Sequence, residues 1–304
     1  VIRVVAAVLL YLSLPSFALA SGTIRVAIVT EAPRVELRGT DIDITELGPC
    51  ETCPRLRWRA DVVVAAAGTA GVEADGRRAV ALRLQSPRPV RINGKDYAGT
   101  LDLVRNGAGI AVVNELPLEE YLVGVVRAEV GDRWPGEALR AQAIVARSYA
   151  AYQRMLNAAR PYHVVGSTAD QAFFGRVPPT SPAWDAVRDT AGLVLRWEGQ
   201  LFPAFYHAES GGYTEDPRTV FITPNLPALR PVRCQFSASS PHFYWNLDLR
   251  LADVTEALRR NDIRVGAVTA IEVAERTPSL RAAWVTVHGR DGSVRLRGND
   301  FRRM

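Results

Sequence analysis

The stretch from Asn114 to Tyr152, NELPLEEYLVGVVRAEVGDRWPGEALRAQAIVARSYAAY, most constrains what this chain can fold into. It reads as two helices joined by a tight break. Pro117 suits a first helical turn, where a missing N–H costs nothing. Leu118, Tyr121, Leu122, Val125 and Val126 then recur at three- and four-residue spacings and make one apolar face. Glu119 and Glu120 fall to its side and back, where charge is solvated. Glu129 lies roughly 20° from Leu118 around the helix, near the middle of the apolar stripe. Gly131 stops the helix there, so the negative end of the helix dipole is close. Both effects disfavour ionisation and predict a carboxylic acid suited to proton donation. The plainer alternative is a last-turn glutamate bending out to water.

A second helix is predicted from near Pro135 to about Met155. Ala138, Gln142, Val145, Tyr149 and Tyr152 line one side, with Arg140, Arg147 and Arg154 opposite. Gln142 is a polar group on a mostly apolar stripe and needs partners. They are either backbone groups of the core, or a substrate or Glu129.

LPLEEYLVGVVRAE followed by WPGEALRAQAIVARSYA resembles the SpoIID/LytB family of bacterial cell-wall proteins. SpoIID members are lytic transglycosylases that cut peptidoglycan, and LytB-type members are described as amidase enhancers, a binding role. The resemblance implies that Glu129 is the counterpart of the catalytic glutamate. Val130-Gly131 stands where the family usually has Met-Pro, and both stop a helix. The implied substrate contacts are Gln142, Arg147 and Tyr149 on the second helix, Gln171 downstream, and His207, Ser210, Gly211 and Gly212 in a later loop.

The first twenty residues combine Arg3, an apolar run and Ala18-Leu19-Ala20, which reads as a secretory signal peptide cleaved after Ala20. No later segment is long enough to span a bilayer stably. The remaining roughly 280 residues suffice for one large domain or two modest ones. The net charge of +5 is compatible with an anionic envelope, and no basic–aromatic or helix-turn-helix pattern supports nucleic acid. Lys95 is the only lysine.

The expected class is α+β: a β-rich part over 24–113, a catalytic core over 114–240 built on the helical pair and further strands, and a small α+β lobe over 241–304. Strands are predicted at Ile24–Val29, Asp61–Ala65, Ala79–Leu84, Val90–Ile92, Leu101–Val104 and Ile110–Val113. Asn93-Gly94 signals a hairpin, and Ile92–Gly99 resembles the family's Asn-Gly-x-x-Tyr-x-Gly hairpin. Cys50 and Cys53 read first as a local disulfide in an exported chain. Cys234 reads as a free buried thiol.

Tyr162–Gly175 resembles a family strand, with Gln171 matching its glutamine and Phe174 in place of the usual tyrosine. Some relatives bind zinc in this segment, but Thr168 and Ala169 offer no ligands, so no metal or other cofactor is expected. A helix at Trp184–Thr190 and a hairpin around Glu198-Gly199 follow. Tyr206–Glu215 resembles the family's His-x-x-x-Gly-Gly-x-Thr-Glu motif and is expected to line the glycan groove. A Ser–His hydrolase is a rival, but Ser210 lies in Glu-Ser-Gly-Gly, not in Gly-x-Ser-x-Gly. A helix at Leu251–Asn261 and strands at Ala270–Arg276, Ala283–His288 and Val294–Leu296 complete the lobe. Relatives usually continue past a motif like Asn299-Asp300-Phe301-Arg302.

The resemblance implies an exported lytic transglycosylase acting on peptidoglycan glycan strands. One acid suffices, because the substrate's own C6 hydroxyl attacks and leaves a 1,6-anhydro end. Asp132 is the nearest second acid for an ordinary two-carboxylate hydrolase. The rivals are a glycan-binding protein that stimulates a cell-wall amidase, and an exported carbohydrate-binding structural protein.

Overall fold

The computed structural model describes residues 22–48, 55–221 and 225–304. The expected signal peptide and the Cys50–Cys53 pair lie outside the described residues. The chain divides into two compact units, one ending at Phe205 and one starting at Tyr206. Mixed strands and helices make it α+β, as expected.

The first unit is a large sheet followed by the helical pair. Its strands are β1 (Thr23–Ala32), β2 (Arg34–Glu46), β3 (Arg57–Ala67), β4 (Val72–Ala74), β5 (Arg77–Ala79) and β6 (Ala81–Gln85). They continue with β7 (Val90–Ile92), β8 (Lys95–Tyr97), β9 (Thr100–Asn106) and β10 (Gly109–Pro117). The order is β1-β10-β9-β6-β2-β3-β4-β5, and the β7–β8 hairpin branches off β2. The expected strands are present, most of them longer than expected, except that Ala79–Leu84 is broken at Val80 into the end of β5 and the start of β6. Asn93 and Gly94 both have positive φ, 49° and 78°, which a two-residue turn between twisted strands requires.

Strand β2 is the one long strand the sequence reading lacks. Val35 and Leu37 are buried, and so are Ile42 and Ile44. Between them the register with β3 shifts at Arg38/Ile42, and Asp41 has φ 51°. The bulge moves the inward side chains from odd to even positions, so no single alternation runs through the strand.

Helix α1 (Leu118–Val130) follows β10 directly, and α2 (Gly136–Leu156) follows after a short break. Pro117 and Pro135 cap them with φ −54° and −56°, as the prolines promised. Leu118, Tyr121, Leu122, Val125 and Val126 are all buried in the same core as the sheet residues Ile24, Leu37, Leu103 and Val112. The edge strand β11 (Val164–Val165) pairs parallel to β1. Residues 171–176 beyond it form no strand, so of the strand expected within Tyr162–Gly175 only Val164–Val165 is present. Helix α3 (Ala183–Asp189) and the short hairpin β12 (Arg196–Trp197) and β13 (Gln200–Leu201) close the unit.

The second unit holds α4 (Leu251–Arg260), an antiparallel sheet of β14 (Val268–Arg276), β15 (Ala282–Gly289) and β16 (Gly292–Arg297), and α5 (Gly298–Arg303). Val254 and Leu258 of α4 pack on Val268, Val285 and Val287 in a separate small core. Among the described residues, no helix is long and apolar enough to cross a membrane.

Candidate active site

The apolar face of α1 leaves the core one turn before the helix ends. Val126 is its last buried residue, and Glu129 is exposed. The expected burial of Glu129 within the stripe is therefore corrected: the desolvation on which that reading rested is absent. What the structure supplies instead is orientation. Glu129 Oε1 accepts a hydrogen bond from the backbone N–H of Ala172 at 2.7 Å. Oε2 makes none among the described residues. Gly131 ends the helix with φ 74°, and its N–H bonds the carbonyl of Arg127 at 3.0 Å. Only glycine reaches that conformation without strain.

The segment carrying Ala172 is itself held firmly. The Gln171 side chain is wholly buried: Oε1 accepts from the Tyr121 hydroxyl at 3.1 Å, and Nε2 donates to the Ala146 carbonyl at 3.3 Å. Asp170 accepts from the Tyr149 hydroxyl at 2.5 Å and from Val165 N–H at 2.7 Å. Phe173 turns inward between Tyr121 and Tyr97, with ring centroids 5.1 and 6.0 Å away. Gly175, at φ 83°, brings the segment onto the β7–β8 hairpin. A Cβ there would lie 2.3 Å from the Asp96 carbonyl, and the N–H of Arg176 donates to that same oxygen at 2.7 Å. The segment thus spans from α1 and α2 to the hairpin, and Glu129 hangs on its first half.

Three of the expected glycan contacts are corrected by burial. Arg147 is 0% exposed, and its guanidinium forks onto Glu119 at 2.9 and 2.7 Å. It also donates to the carbonyls of Val187 at 3.2 Å and Leu193 at 3.1 Å. Helix α3 and the turn after it cover the side of α2 that the sequence pattern leaves to water. For the same reason Glu119 is not a solvated acid but the counter-ion of a buried cation. Gln171 and Tyr149 are likewise buried, and their side chains hold the segment through the bonds above. Gln142 is half-buried, and its Nε2 is a buried donor without a partner, so neither expected partner, Glu129 nor the core backbone, takes that nitrogen.

Asp132 has both oxygens engaged, Oδ1 by the Ser181 hydroxyl at 2.6 Å and Oδ2 by Arg127 Nε at 3.0 Å. The Ser181 hydrogen bond and the Arg127 charge hold this carboxyl below its ordinary range. It is an anchored anion, which leaves Glu129 as the carboxylate with a free oxygen at the helix end. The motif reading gave no weight to Trp134, 56% exposed at the break between the helices, or to Phe174, 51% exposed. An aromatic residue in a helix-joining turn is the signal that marks the first.

His207, Ser210, Gly211 and Gly212 belong to the second unit. His207 is exposed, whereas the buried Ser210 hydroxyl meets that of Ser237 at 2.5 Å. Ser210 is thus engaged by Ser237 and not by His207, and the Ser–His hydrolase has no nucleophile–base pair here. Gly211 and Gly212 have φ 60° and 96°. Glu209 accepts from the N–H of Gly211 at 3.0 Å, and hydroxyls of Ser240 and Ser237 help bring its carboxyl down to about 2. Arg281 donates to the carbonyls of Ser210 at 2.6 Å and Tyr213 at 3.0 Å. Glu215 accepts from Thr277 at 2.7 Å and Ser279 at 2.5 Å. The glycine loop is therefore tied to the β14–β15 turn. Cys234 is free but half-exposed, not buried as expected. The Ser210 and Ser237 hydroxyls draw its thiol down to about 7.

A helical pair laid on an antiparallel sheet, with one oriented carboxylate at the end of the first helix, defines the class of domain. Residues 106–197, which carry that carboxylate, match the SpoIID family model, described as "Stage II sporulation protein". The chain is 27% identical over 206 residues to stage II sporulation protein D of Bacillus subtilis, covering 62% of this chain and 58% of that protein. It is 33% identical over 162 residues to the amidase enhancer of the same organism, 53% of this chain and 21% of that protein. An uncharacterized protein of Brachyspira hyodysenteriae is 28% identical over 214 residues, 69% of this chain and 56% of that protein. The chain thus spans less than three-fifths of the length of these relatives.

Proposed function

We propose that this is an exported cell-wall protein that cleaves peptidoglycan glycan strands as a lytic transglycosylase, with Glu129 as its single acid and base. The observation that carries the reading is the orientation of Glu129. Ala172 N–H fixes one carboxylate oxygen and leaves the other free toward solvent, where a polymer can approach. The names of the relatives, sporulation protein D and amidase enhancer, support a role at the wall.

In this reading the protonated Glu129 delivers its proton to the oxygen joining N-acetylmuramic acid to N-acetylglucosamine as the glycosidic bond breaks. The C6 hydroxyl of the muramic acid then forms the new bond to C1 and returns its proton to Glu129. No water is consumed, and the product carries a 1,6-anhydro ring. A hydrolase working with two carboxylates would need a second one free at the site, and Asp132 is tied at both oxygens. Gln142, with its unpartnered Nε2, is the polar contact retained for the glycan.

The second reading, a glycan-binding protein that stimulates an amidase, is favoured by the 33% identity to an amidase enhancer. Incubation with purified peptidoglycan, with and without stem peptides, separates the two. Anhydro-muramyl ends found by mass analysis support the enzyme. Glycan binding and amidase stimulation without such ends support the second reading.

A further inference from the structure

On the held segment that carries Ala172, the structure rests a cation of the β7–β8 hairpin on an exposed ring. The ammonium of Lys95 sits 3.9 Å from the centroid of the Phe174 ring, and Phe174 is half-exposed. Asp96, the next residue, is occupied by the fork of Arg91 at 2.8 and 3.0 Å. Arg91 and, more weakly, Arg176 hold its carboxyl below the ordinary range. Two arginines thus neutralise the Asp96 carboxylate, and Lys95 makes no ion pair among the described residues. An ammonium resting on a ring face, with no anion bonded to it, keeps its donors available for a ligand.

The link to Glu129 is short. Ala172, whose N–H holds the Glu129 carboxylate, precedes Phe174 by two residues, about 7 Å of extended chain. Ala172 and Phe173 are buried, and Phe174 is the first side chain of the stretch to face outward. The exposed part of the ring suits the C–H face of a pyranose, while the cation resting on it suits a carboxylate.

We propose that Phe174 and Lys95 form a subsite for a carboxylate-bearing sugar next to the bond on which Glu129 acts. This rests on the glycan reading above and deepens it: the subsite selects anionic glycans over neutral ones. The carboxylate comes either from the lactyl ether of N-acetylmuramic acid or from a stem peptide.

Calorimetric titration of the full chain and its Lys95→Gln and Phe174→Ala variants tests this. Three probes are used: a neutral N-acetylglucosamine oligomer, peptide-free peptidoglycan oligosaccharides, and peptide-bearing ones. Both side chains are exposed, and circular dichroism checks that the variants fold. The wild type is expected to prefer the anionic probes about tenfold, with a preference that shrinks as salt rises. Lys95→Gln is expected to abolish the preference without weakening the neutral oligomer, and Phe174→Ala to weaken all three. A preference for the peptide-free probe alone assigns the lactyl carboxylate, which is amide-bonded in peptide-bearing strands; one for the peptide-bearing probe alone assigns the peptide, and one for both shows that a carboxylate from either source is accepted. Equal binding of neutral and anionic probes, unchanged by Lys95→Gln, overturns the subsite and leaves the glycan reading standing. Binding of none of the probes overturns both.

Discussion

The Arg147–Glu119 pair offers the sharpest test of how the helical core is held. Arg147 is 0% exposed and Glu119 38% exposed by side chain, so the guanidinium is buried and its counter-ion half-buried. Removing the carboxylate leaves a buried cation with only carbonyls and the Thr190 hydroxyl around it. Breaking a fully buried pair costs about 3–5 kcal/mol. Because water reaches Glu119, the expected loss for Glu119→Gln is nearer about 2 kcal/mol. Arg147→Met removes the cation too, but strips the Val187 and Leu193 carbonyls of their donor. It should cost about 3 kcal/mol or more. Glu120→Gln, exposed one position along, should stay within about 0.5 kcal/mol of wild type. Urea unfolding followed by circular dichroism measures all three, with a constant m-value required for comparison. If Glu119→Gln proves as neutral as Glu120→Gln, the pair is a surface bridge and the packing described here is wrong.

Three further expectations concern the supports of the two candidate regions. Burial, with Arg25 and Arg154 nearby, brings His163 down to about 4, and its Nδ1 accepts the N–H of Arg25 at 3.1 Å. The unfolded histidine, near 6.5, takes up protons first, so stability is full above that pH. It falls between about pH 6.5 and pH 4, by up to about 3 kcal/mol. His163→Gln should flatten that slope in urea titrations across the window, and an unchanged slope would refute it. Gly175→Ala combines a φ of 83° with a Cβ 2.3 Å from the Asp96 carbonyl, and should cost about 1–3 kcal/mol of stability. A variant melting with the wild type would show that the segment does not lie on the hairpin. Glu215→Ala strands the Thr277 and Ser279 hydroxyls and should speed amide exchange across residues 206–214. Unchanged exchange there would refute the anchoring.

Much of the local structure was legible because it is written locally. The capping prolines, the 3.6-residue face of α1, Asn93-Gly94 and Gly131 all act within a few residues, and each element formed where its signal lay. Strand β2 was not legible, because the bulge at Arg38–Ile42 reverses its alternation midway. Glu129 shows a different limit. Helical phase predicts the apolar side for it, but phase does not say where the core ends; the last buried residue of α1 is Val126, and Glu129 is exposed. Arg147 was assigned to an open side because its cover comes from Val187 and Leu193, some forty residues away. Lys95 and Phe174 meet from elements far apart in sequence, so no spacing rule reaches them.

Glu129 itself decides the central claim. Glu129→Gln keeps the size of the side chain, and its amide oxygen can still accept from Ala172 N–H, but the transferable proton is gone. Wild-type and variant protein, each incubated with purified peptidoglycan, are compared by mass analysis of the released muropeptides. The account predicts that anhydro-muramyl ends fall at least about a hundredfold in the variant while glycan binding persists. Release of anhydro ends at the wild-type rate by Glu129→Gln would contradict it.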